Sequence, residues 1–111
     1  MTSDNFTAII LPQAESDITN ILDYIAHNLK NPTAASNLWT DIKEAVARAS
    51  MFPYAMPLVK NDKLTMGTAY RRIDVNNYVI IYKVVEEAKQ IRIFAVLYGP
   101  SNVITTILNR V

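Results

Sequence analysis

The sequence contains no cysteine, only one histidine and only two glycines among its 111 residues. Without cysteine the chain can form neither a disulfide framework nor a thiolate zinc site, and one histidine is too few for a typical metal cluster. Two glycines are also too few for a glycine-rich phosphate loop. The composition therefore excludes many enzyme classes, and we expect neither a metal nor a cofactor.

Long hydrophobic runs are missing as well. The first apolar run, residues 8–11, is short and follows no basic segment, and no stretch approaches the roughly 18 apolar residues of a membrane span. Half of the residues are hydrophobic and 19% are charged, which is typical of a globular chain. We therefore expect one cytoplasmic domain over residues 1–111, with no targeting segment and no membrane contact.

The charged side chains are unevenly distributed, although the formal net charge is only +1. Residues 1–50 carry three basic and six acidic side chains, whereas residues 51–111 carry eight basic and four acidic ones. A basic second half indicates either an anionic partner or a solvated face. Charge alone leaves both interpretations open.

The first third of the chain has the pattern of a strand followed by a helix. Residues 6–11 are largely apolar and end at Pro12, which cannot donate a ladder hydrogen bond and suits a strand exit. Over residues 13–30 the apolar side chains recur at spacings of three and four, which predicts an amphipathic helix.

A second helix is predicted directly after the first. The tripeptide Asn31-Pro32-Thr33 ends the first helix and begins another, with Asn31 or Thr33 as the cap. This second helix is expected over residues 34–51, with Trp39 on its inward side. The two helices form a hairpin.

The second half of the chain has the composition of a sheet. Residues 53–68 lack regular periodicity and predict a long loop. Three segments rich in Val, Ile, Tyr and Phe follow, with turns expected at Asn76-Asn77 and at residues 86–89. The predicted strands cover residues 69–75, 78–85 and 90–98, and a short helix or tail closes the chain.

The predicted order is thus β-α-α-β-β-β-α, an α+β fold with a helical hairpin packed on a twisted, mainly antiparallel sheet. Along the middle strand, residues 78–85, both alternating sets of side chains are largely apolar, so both faces of the sheet need cover. The two helices can cover one face. We expect the C-terminal segment, together with a partner, to cover the other.

Seven short segments, spread over nearly the whole chain, carry a family resemblance through their order and separation. They read AESDI (14–18), ILDYI (21–25), LKNP (29–32), FP (52–53), YRRI (70–73), NYVIIY (77–82) and VLYG (96–99). In these features the sequence resembles the RelE/ParE superfamily of bacterial type II toxins, and within it the ParE-like, or plasmid-stabilisation, branch.

The resemblance implies a toxin that a cognate antitoxin holds inactive by wrapping its C-terminal segment around it. Operator DNA would then be contacted only through the antitoxin. The ParE-like branch inhibits DNA gyrase, and this is the activity that the resemblance favours. The alternatives are a ribosome-dependent, metal-independent mRNA endoribonuclease and a degenerate, non-toxic module that still binds antitoxin.

One departure from the family pattern disfavours RNA cleavage. After the Tyr-Gly that ends the last strand the family usually has basic residues, whereas this chain has Pro100-Ser101-Asn102. In the ribonuclease branch an arginine at this place helps to hold the scissile phosphate. Its absence is consistent either with a different target or with a change that reduced toxicity.

RNA cleavage requires a base, an acid and cations that stabilise the phosphate charge. Arg71 and Arg72 are the candidate cations, and Tyr98 or Tyr82 could stack on a base or act as the acid. Because neighbouring strand residues point to opposite faces, only one of the two arginines can serve a shared site. The alternative is that one arginine pairs with Asp74 or Glu87 while the other is solvated.

Contacts to a target or an antitoxin are predicted for the basic side chains of the loop and strands and for two tyrosines. The loop lysines can equally be ordinary solvated side chains. The predicted contact residues are Lys60, Lys63, Arg71, Arg72, Tyr82, Lys83 and Tyr98.

Overall fold

The computed structural model describes residues 5–59, 69–99 and 102–110. None of the helices in these ranges is long and apolar enough to cross a membrane. The elements confirm the predicted α+β order: β1 (Thr7–Ile10), α1 (Pro12–Asp23), a π-helical turn (Tyr24–Asn28), α2 (Pro32–Met51), β2 (Tyr70–Val75), β3 (Tyr78–Val85), a 3₁₀ turn (Glu86–Ala88), β4 (Gln90–Tyr98) and α3 (Val103–Arg110).

The first helix differs from the prediction at both ends. Pro12 begins α1 instead of ending β1, because its fixed φ and missing N–H suit a first helical turn. The α-helix ends at Asp23, and a π-helical turn follows it directly. In this turn the N–H of Leu29 donates to the C=O of Tyr24 at 3.0 Å. A single wide turn hardly alters apolar spacing, so periodicity did not reveal it.

The second helix begins at the predicted tripeptide. The Oδ1 of Asn31 accepts a hydrogen bond from the N–H of Ala34 at 3.1 Å, so Asn31 is the cap. Trp39 is half-buried and packs against the hydrophobic core, in agreement with its predicted inward position.

The four strands form one sheet in the order β1-β4-β3-β2. The β2, β3 and β4 strands are antiparallel, and β1 pairs with β4 in parallel. Asn76 (φ 54°) and Lys89 (φ 52°) adopt the left-handed conformation in the two connecting turns. Both turns lie where the sequence predicted them.

The β3–β4 ladder contains one β-bulge. Ile81 pairs with Ala95 and the next residue, Tyr82, pairs with Ile93, so Phe94 has no partner on β3. Phe94 and Ala95 therefore belong to the same core cluster, although they are adjacent on the strand. The bulge shifts the alternation of β4 by one residue.

The helical hairpin α1–α2 covers one face of the sheet, here called the hairpin face. Burial of a complete aliphatic side chain stabilises the fold by about 1.5–3 kcal/mol, so this layer supplies much of the driving force. Its buried side chains come from the helices (Ala14, Ile18, Ala35, Leu38, Ile42, Ala45, Val46, Ala49) and from the strands (Ile73, Val75, Ile80, Tyr82, Ile91, Ile93, Val96).

The opposite face, here called the α3 face, is covered in part by the C-terminal helix. Val103 and Ile107 of α3 pack with Val79 and Ile81 of β3, which are 2% and 0% exposed. The predicted role of the C-terminal segment is thus confirmed. These side chains of β3 are buried by the chain itself, and cover of the rest of this face by a partner stays a prediction.

An ion pair holds the end of α3 against α1 and β4. Arg110 donates to both oxygens of Asp17 at 2.8 and 2.9 Å and to the C=O of Phe94 at 3.3 Å. Asp17 also accepts from the N–H of Val96 at 3.0 Å. Because β1 ends at Ile10, β4 has no strand partner on this side beyond Ile93. Asp17 and Arg110 take the place of a strand there, by bonding the N–H of Val96 and the C=O of Phe94.

The segment after α2 lies along the outer edge of β2. Leu58 pairs with Arg71 in an isolated antiparallel bridge, and the N–H of Val59 donates to the C=O of Tyr70 at 2.8 Å. The first part of the predicted loop over residues 53–68 therefore covers the outer edge of the sheet. Its part from 60 to 68 lies outside the described residues.

Tyr82 lies within the core of the hairpin face. It is 0% exposed, and its hydroxyl donates to the C=O of Pro53 at 2.7 Å. Burial raises the pKa of Tyr82 to about 12. The prediction that Tyr82 contacts a target or an antitoxin was wrong, because its alternating position on β3 points toward the helices.

Arg110→Ala should lower the free energy of unfolding by about 2 kcal/mol, because the half-buried Asp17 carboxylate loses two charge-assisted hydrogen bonds. The measurement is equilibrium unfolding in urea. Arg48→Ala, at an exposed position in the last turn of α2, is the matched control and should cost less than about 0.5 kcal/mol. Equal losses in the two variants would show that the ion pair does not anchor α3.

Tyr82→Phe should cost about 1–2 kcal/mol at neutral pH, because the carbonyl of Pro53 loses its donor. The pKa of Tyr82 is raised from about 10 to about 12 on folding, so its contribution is complete below about pH 10 and is lost as the pH rises toward 12. Urea unfolding between about pH 7 and pH 11 measures this loss. The alkaline loss of unfolding free energy should be smaller in Tyr82→Phe than in the unaltered chain, and it should be unchanged in the exposed control Tyr98→Phe. An equal alkaline loss in the two variants would contradict the assignment to Tyr82.

Candidate functional site

The two adjacent arginines lie on opposite faces of β2, as predicted. Arg71 is opposite Tyr82 and lies on the hairpin face, whereas Arg72 is opposite Ile81 and lies on the α3 face. Lys60 and Lys63, the two predicted loop contacts, lie outside the described residues. The arginines are therefore divided between two faces, although Arg71 and Lys83 both line a cavity of about 360 Å³ at the end of β2.

Arg71 is engaged within the chain. Its Nη1 donates to the C=O of Met56 at 2.7 Å and to the C=O of Tyr54 at 3.1 Å, and its guanidinium lies 5.3 Å from the ring centre of Tyr54. These contacts hold the segment after α2 on the sheet. Arg71 therefore has a structural role that the sequence did not reveal.

Arg72 forms the ion pair that the sequence offered as an alternative. Its Nη2 and Nε lie 2.9 and 3.2 Å from Oδ1 of Asp74, two positions along the same strand. The Arg72 side chain is 25% exposed and the Asp74 side chain is 66% exposed, so the pair is largely in contact with water. The other half of that alternative, a solvated Arg71, was wrong.

Tyr98 is 61% exposed and lies on the hairpin face, opposite Tyr78. It therefore faces away from Arg72. Arg71 shares its face but lies opposite Tyr82, so four residues of β3, or about 13 Å, separate the two positions. The structure does not bring Tyr98 together with either arginine.

The described ranges accordingly contain no assembled acid, base and cation set drawn from these candidates. They also contain no group of three or more His, Asp and Glu side chains that could hold a metal ion. Arg71, Arg72 and Tyr98 therefore do not together supply the acid, base and cation that RNA cleavage needs.

Sequence reasoning identified Lys83 but missed its cross-strand neighbour. Lys83 pairs directly with Arg92, and both half-buried side chains lie on the α3 face. The signal was present in the predicted turn, because a four-residue connection between Val85 and Gln90 places Lys83 opposite Arg92. The two basic side chains form a pair on the central strands.

A second feature is a groove lined by tyrosines, here called the tyrosine groove. It has a volume of about 540 Å³, and Tyr24, Leu29 and Tyr98 at its rim are each more than half exposed. The ring centres of Tyr78 and Tyr98 are 5.2 Å apart in an edge-to-face arrangement. The lining residues are Asn20, Ile21, Tyr24, Leu29, Tyr78 and Tyr98.

The tyrosine groove has the chemistry of a protein contact. None of its lining residues is charged, and burial, followed by the proximity of Tyr98, raises the pKa of Tyr78, so that its hydroxyl stays neutral. Exposed tyrosines with an apolar floor are typical of protein interfaces. No local signal could have revealed this groove, because it forms only where the turn after α1 meets the ends of β3 and β4.

The comparisons with known proteins identify the family. The model of the family described as "ParE toxin of type II toxin-antitoxin system, parDE" matches residues 8–102. No curated protein matches the sequence.

Two solved structures have a similar fold. A chain of the chromosomal ParDE TA system from P. aeruginosa aligns with a TM-score of 0.68 and 18% identity, and the alignment covers 87% of this chain and 99% of that chain. A chain of the toxin-antitoxin complex RelBE2 from Mycobacterium tuberculosis aligns with a TM-score of 0.55 and 15% identity, covering 85% and 91%. Since the family model spans most of the sequence, this protein belongs to the ParE toxin family of type II toxin-antitoxin systems.

Proposed function

We propose that this toxin inhibits DNA gyrase by binding, and that a cognate antitoxin neutralises it in the cytoplasm. The observation that carries the proposal is the division of the candidate residues between two faces. Tyr98 lies on the hairpin face and Arg72 on the α3 face, while Arg71 is engaged with backbone carbonyls. A protein that acts by contact needs no assembled catalytic set, whereas a ribonuclease does.

An antitoxin partner is supported by the family and by the similar structures. Those structures are of the ParDE and RelBE2 toxin-antitoxin systems. The chain offers two separate surfaces to such a partner and to the target: the uncharged tyrosine groove and the basic pair Lys83–Arg92. We expect a small antitoxin gene to lie next to the toxin gene.

The gyrase proposal is tested with purified proteins. Adding this chain to DNA gyrase and relaxed plasmid should inhibit supercoiling in a dose-dependent way, because a bound toxin blocks the enzyme's cycle. The same chain after thermal unfolding is the control and should have no effect. Adding the product of the adjacent antitoxin gene should restore supercoiling.

Expression in cells separates the proposal from its two rivals. Gyrase inhibition predicts an SOS response and filamentous cells with intact transcripts. Transcripts cut at ribosomal A sites without an SOS response would instead identify a ribosome-dependent endoribonuclease. Harmless expression combined with retained antitoxin binding would identify a non-toxic binding module, and either result would overturn the proposal.

A further inference from the structure

The α3 face carries a row of four side chains across the whole sheet. In register, Ile9 of β1 is opposite Arg92 of β4, Arg92 is opposite Lys83 of β3, and Lys83 is opposite Tyr70 of β2. The buried contacts of α3 lie further along, on Val79, Ile81, Phe94 and Ala95. The two basic side chains thus occupy the centre of the sheet, next to the apolar area that α3 covers.

Neither basic side chain of this pair has an acidic partner within the part of the chain that the structure describes. Arg92 is held by a neutral group, since its Nε donates to Oε1 of Gln90 at 3.0 Å, and Lys83 forms no ion pair. Other basic side chains do have acidic partners, as Arg72 has in Asp74 and Arg110 in Asp17. Glu87 lines the same cavity as Lys83 but forms no ion pair with it, so among the described residues the pair Lys83–Arg92 is two adjacent positive charges without an ion-pair partner.

This arrangement is unfavourable in the isolated chain. Side chains directly opposite each other on neighbouring strands have Cβ atoms about 4.5–5.5 Å apart, and like charges at such positions are destabilising. Both side chains are half-buried, so solvent screens their repulsion less than it would at a fully exposed site. An anion placed between them would turn this repulsion into two attractions.

The chemistry of the face favours a carboxylate over a nucleic acid. Single-stranded nucleic acids are held by basic side chains together with exposed aromatic rings on which bases stack. The aromatic rings on this face, Tyr70 and Phe94, are 6% and 9% exposed and pack against each other at 5.0 Å. The exposed Tyr98 lies on the hairpin face, and the exposed Tyr54, which lines a cavity together with Lys83, already has its ring against the Arg71 guanidinium and its hydroxyl bonded to Glu86. Among the described residues, the basic pair therefore has no free aromatic ring beside it for a base to stack on.

We propose that Lys83 and Arg92 form a carboxylate-binding site for an acidic side chain of the antitoxin. This inference rests on the proposed function for the identity of the partner. Gln90 orients the Arg92 guanidinium, which can hold a carboxylate by two parallel hydrogen bonds, and Lys83 adds a third donor from the neighbouring strand. Antitoxin binding then relieves a repulsion built into the free toxin.

Binding of a model ligand tests the site directly. A glutamate-rich decapeptide is titrated into the purified chain at low salt by calorimetry, with the double variant Lys83→Gln, Arg92→Gln as the test. The variant should bind the peptide at least about tenfold more weakly, because both donors are lost. The matched control, Lys43→Gln with Arg48→Gln, removes the same charge from exposed positions on α2 and should change the affinity by less than about twofold.

Two outcomes of this titration would overturn the proposal. Equal weakening in both double variants would show that the peptide responds only to net charge. Tighter binding of an oligothymidylate of matched charge, lost in the Lys83 and Arg92 variant, would show that the site holds phosphates of a nucleic acid.

The repulsion itself gives a second measurement that needs no ligand. Lys83→Met keeps the aliphatic stem and removes one charge, so it should raise the Tm of the free chain by about 2 °C or more at low salt. The difference should shrink at high salt, because screening weakens the repulsion. A lowered Tm at low salt would contradict an unrelieved pair.

These results are separable from the test of the proposed target. If gyrase is not inhibited but the affinity for the peptide still depends on Lys83 and Arg92, the proposed target is refuted and the proposed carboxylate site is supported. If gyrase is inhibited and the affinity for the peptide does not depend on the two residues, the proposed carboxylate site is refuted and the proposed target is supported.

Discussion

The Asp17 carboxylate joins three elements that are distant in the sequence. It lies on α1, accepts the N–H of Val96 on β4 and receives two hydrogen bonds from Arg110 at the end of α3. The docking of α3 over Val79 and Ile81 depends on this anchor, since the helix is only eight residues long and too short to be stable alone. Without that docking the central strands would have one unprotected apolar face.

The cover that α3 provides also divides the sheet by function. Where the helix packs, the α3 face is apolar and closed; next to it, Lys83 and Arg92 are half-buried and form no ion pair with any acidic side chain in the described ranges. On the other side of the sheet, the hairpin covers the centre and leaves the tyrosine groove at one end. Two surfaces of different chemistry thus arise from incomplete cover on each face, which suits a protein that must engage both an inhibitor and a target.

The sequence predicted the fold better than the site. The limits of β3 and β4 and both of their turns followed from apolar runs and from residues that tolerate the left-handed conformation, such as Asn76, and these signals are local. The capping side chain of Asn31 was likewise a local signal. The π-helical turn after α1 was missed because one added residue barely disturbs helical spacing.

The roles of individual side chains depended on tertiary contacts that periodicity does not encode. Tyr82 was expected at a surface but is buried, because both alternating sets of β3 are apolar and the composition does not say which face the hairpin covers. Arg71 binds carbonyls of a segment that precedes it by about fifteen residues, and no local pattern predicts that approach. The pair Lys83–Arg92, in contrast, was encoded by the turn length, so register arguments can find sites that single-residue arguments miss.

The bulge at Phe94 and Ala95 has a consequence for how this protein tolerates change. On the N-terminal side of the bulge Ile91 and Ile93 point into the hairpin core and Arg92 points away; on its C-terminal side Val96 points into the same core. The extra residue keeps both halves of β4 in phase with the helices. Deleting one residue elsewhere in β4 would rotate one half of the strand by a whole face, whereas deleting the unpaired Phe94 would leave a regular ladder with Ile93 and Val96 still directed into the core, so the bulge marks a place where this strand can lose a codon and keep its phase.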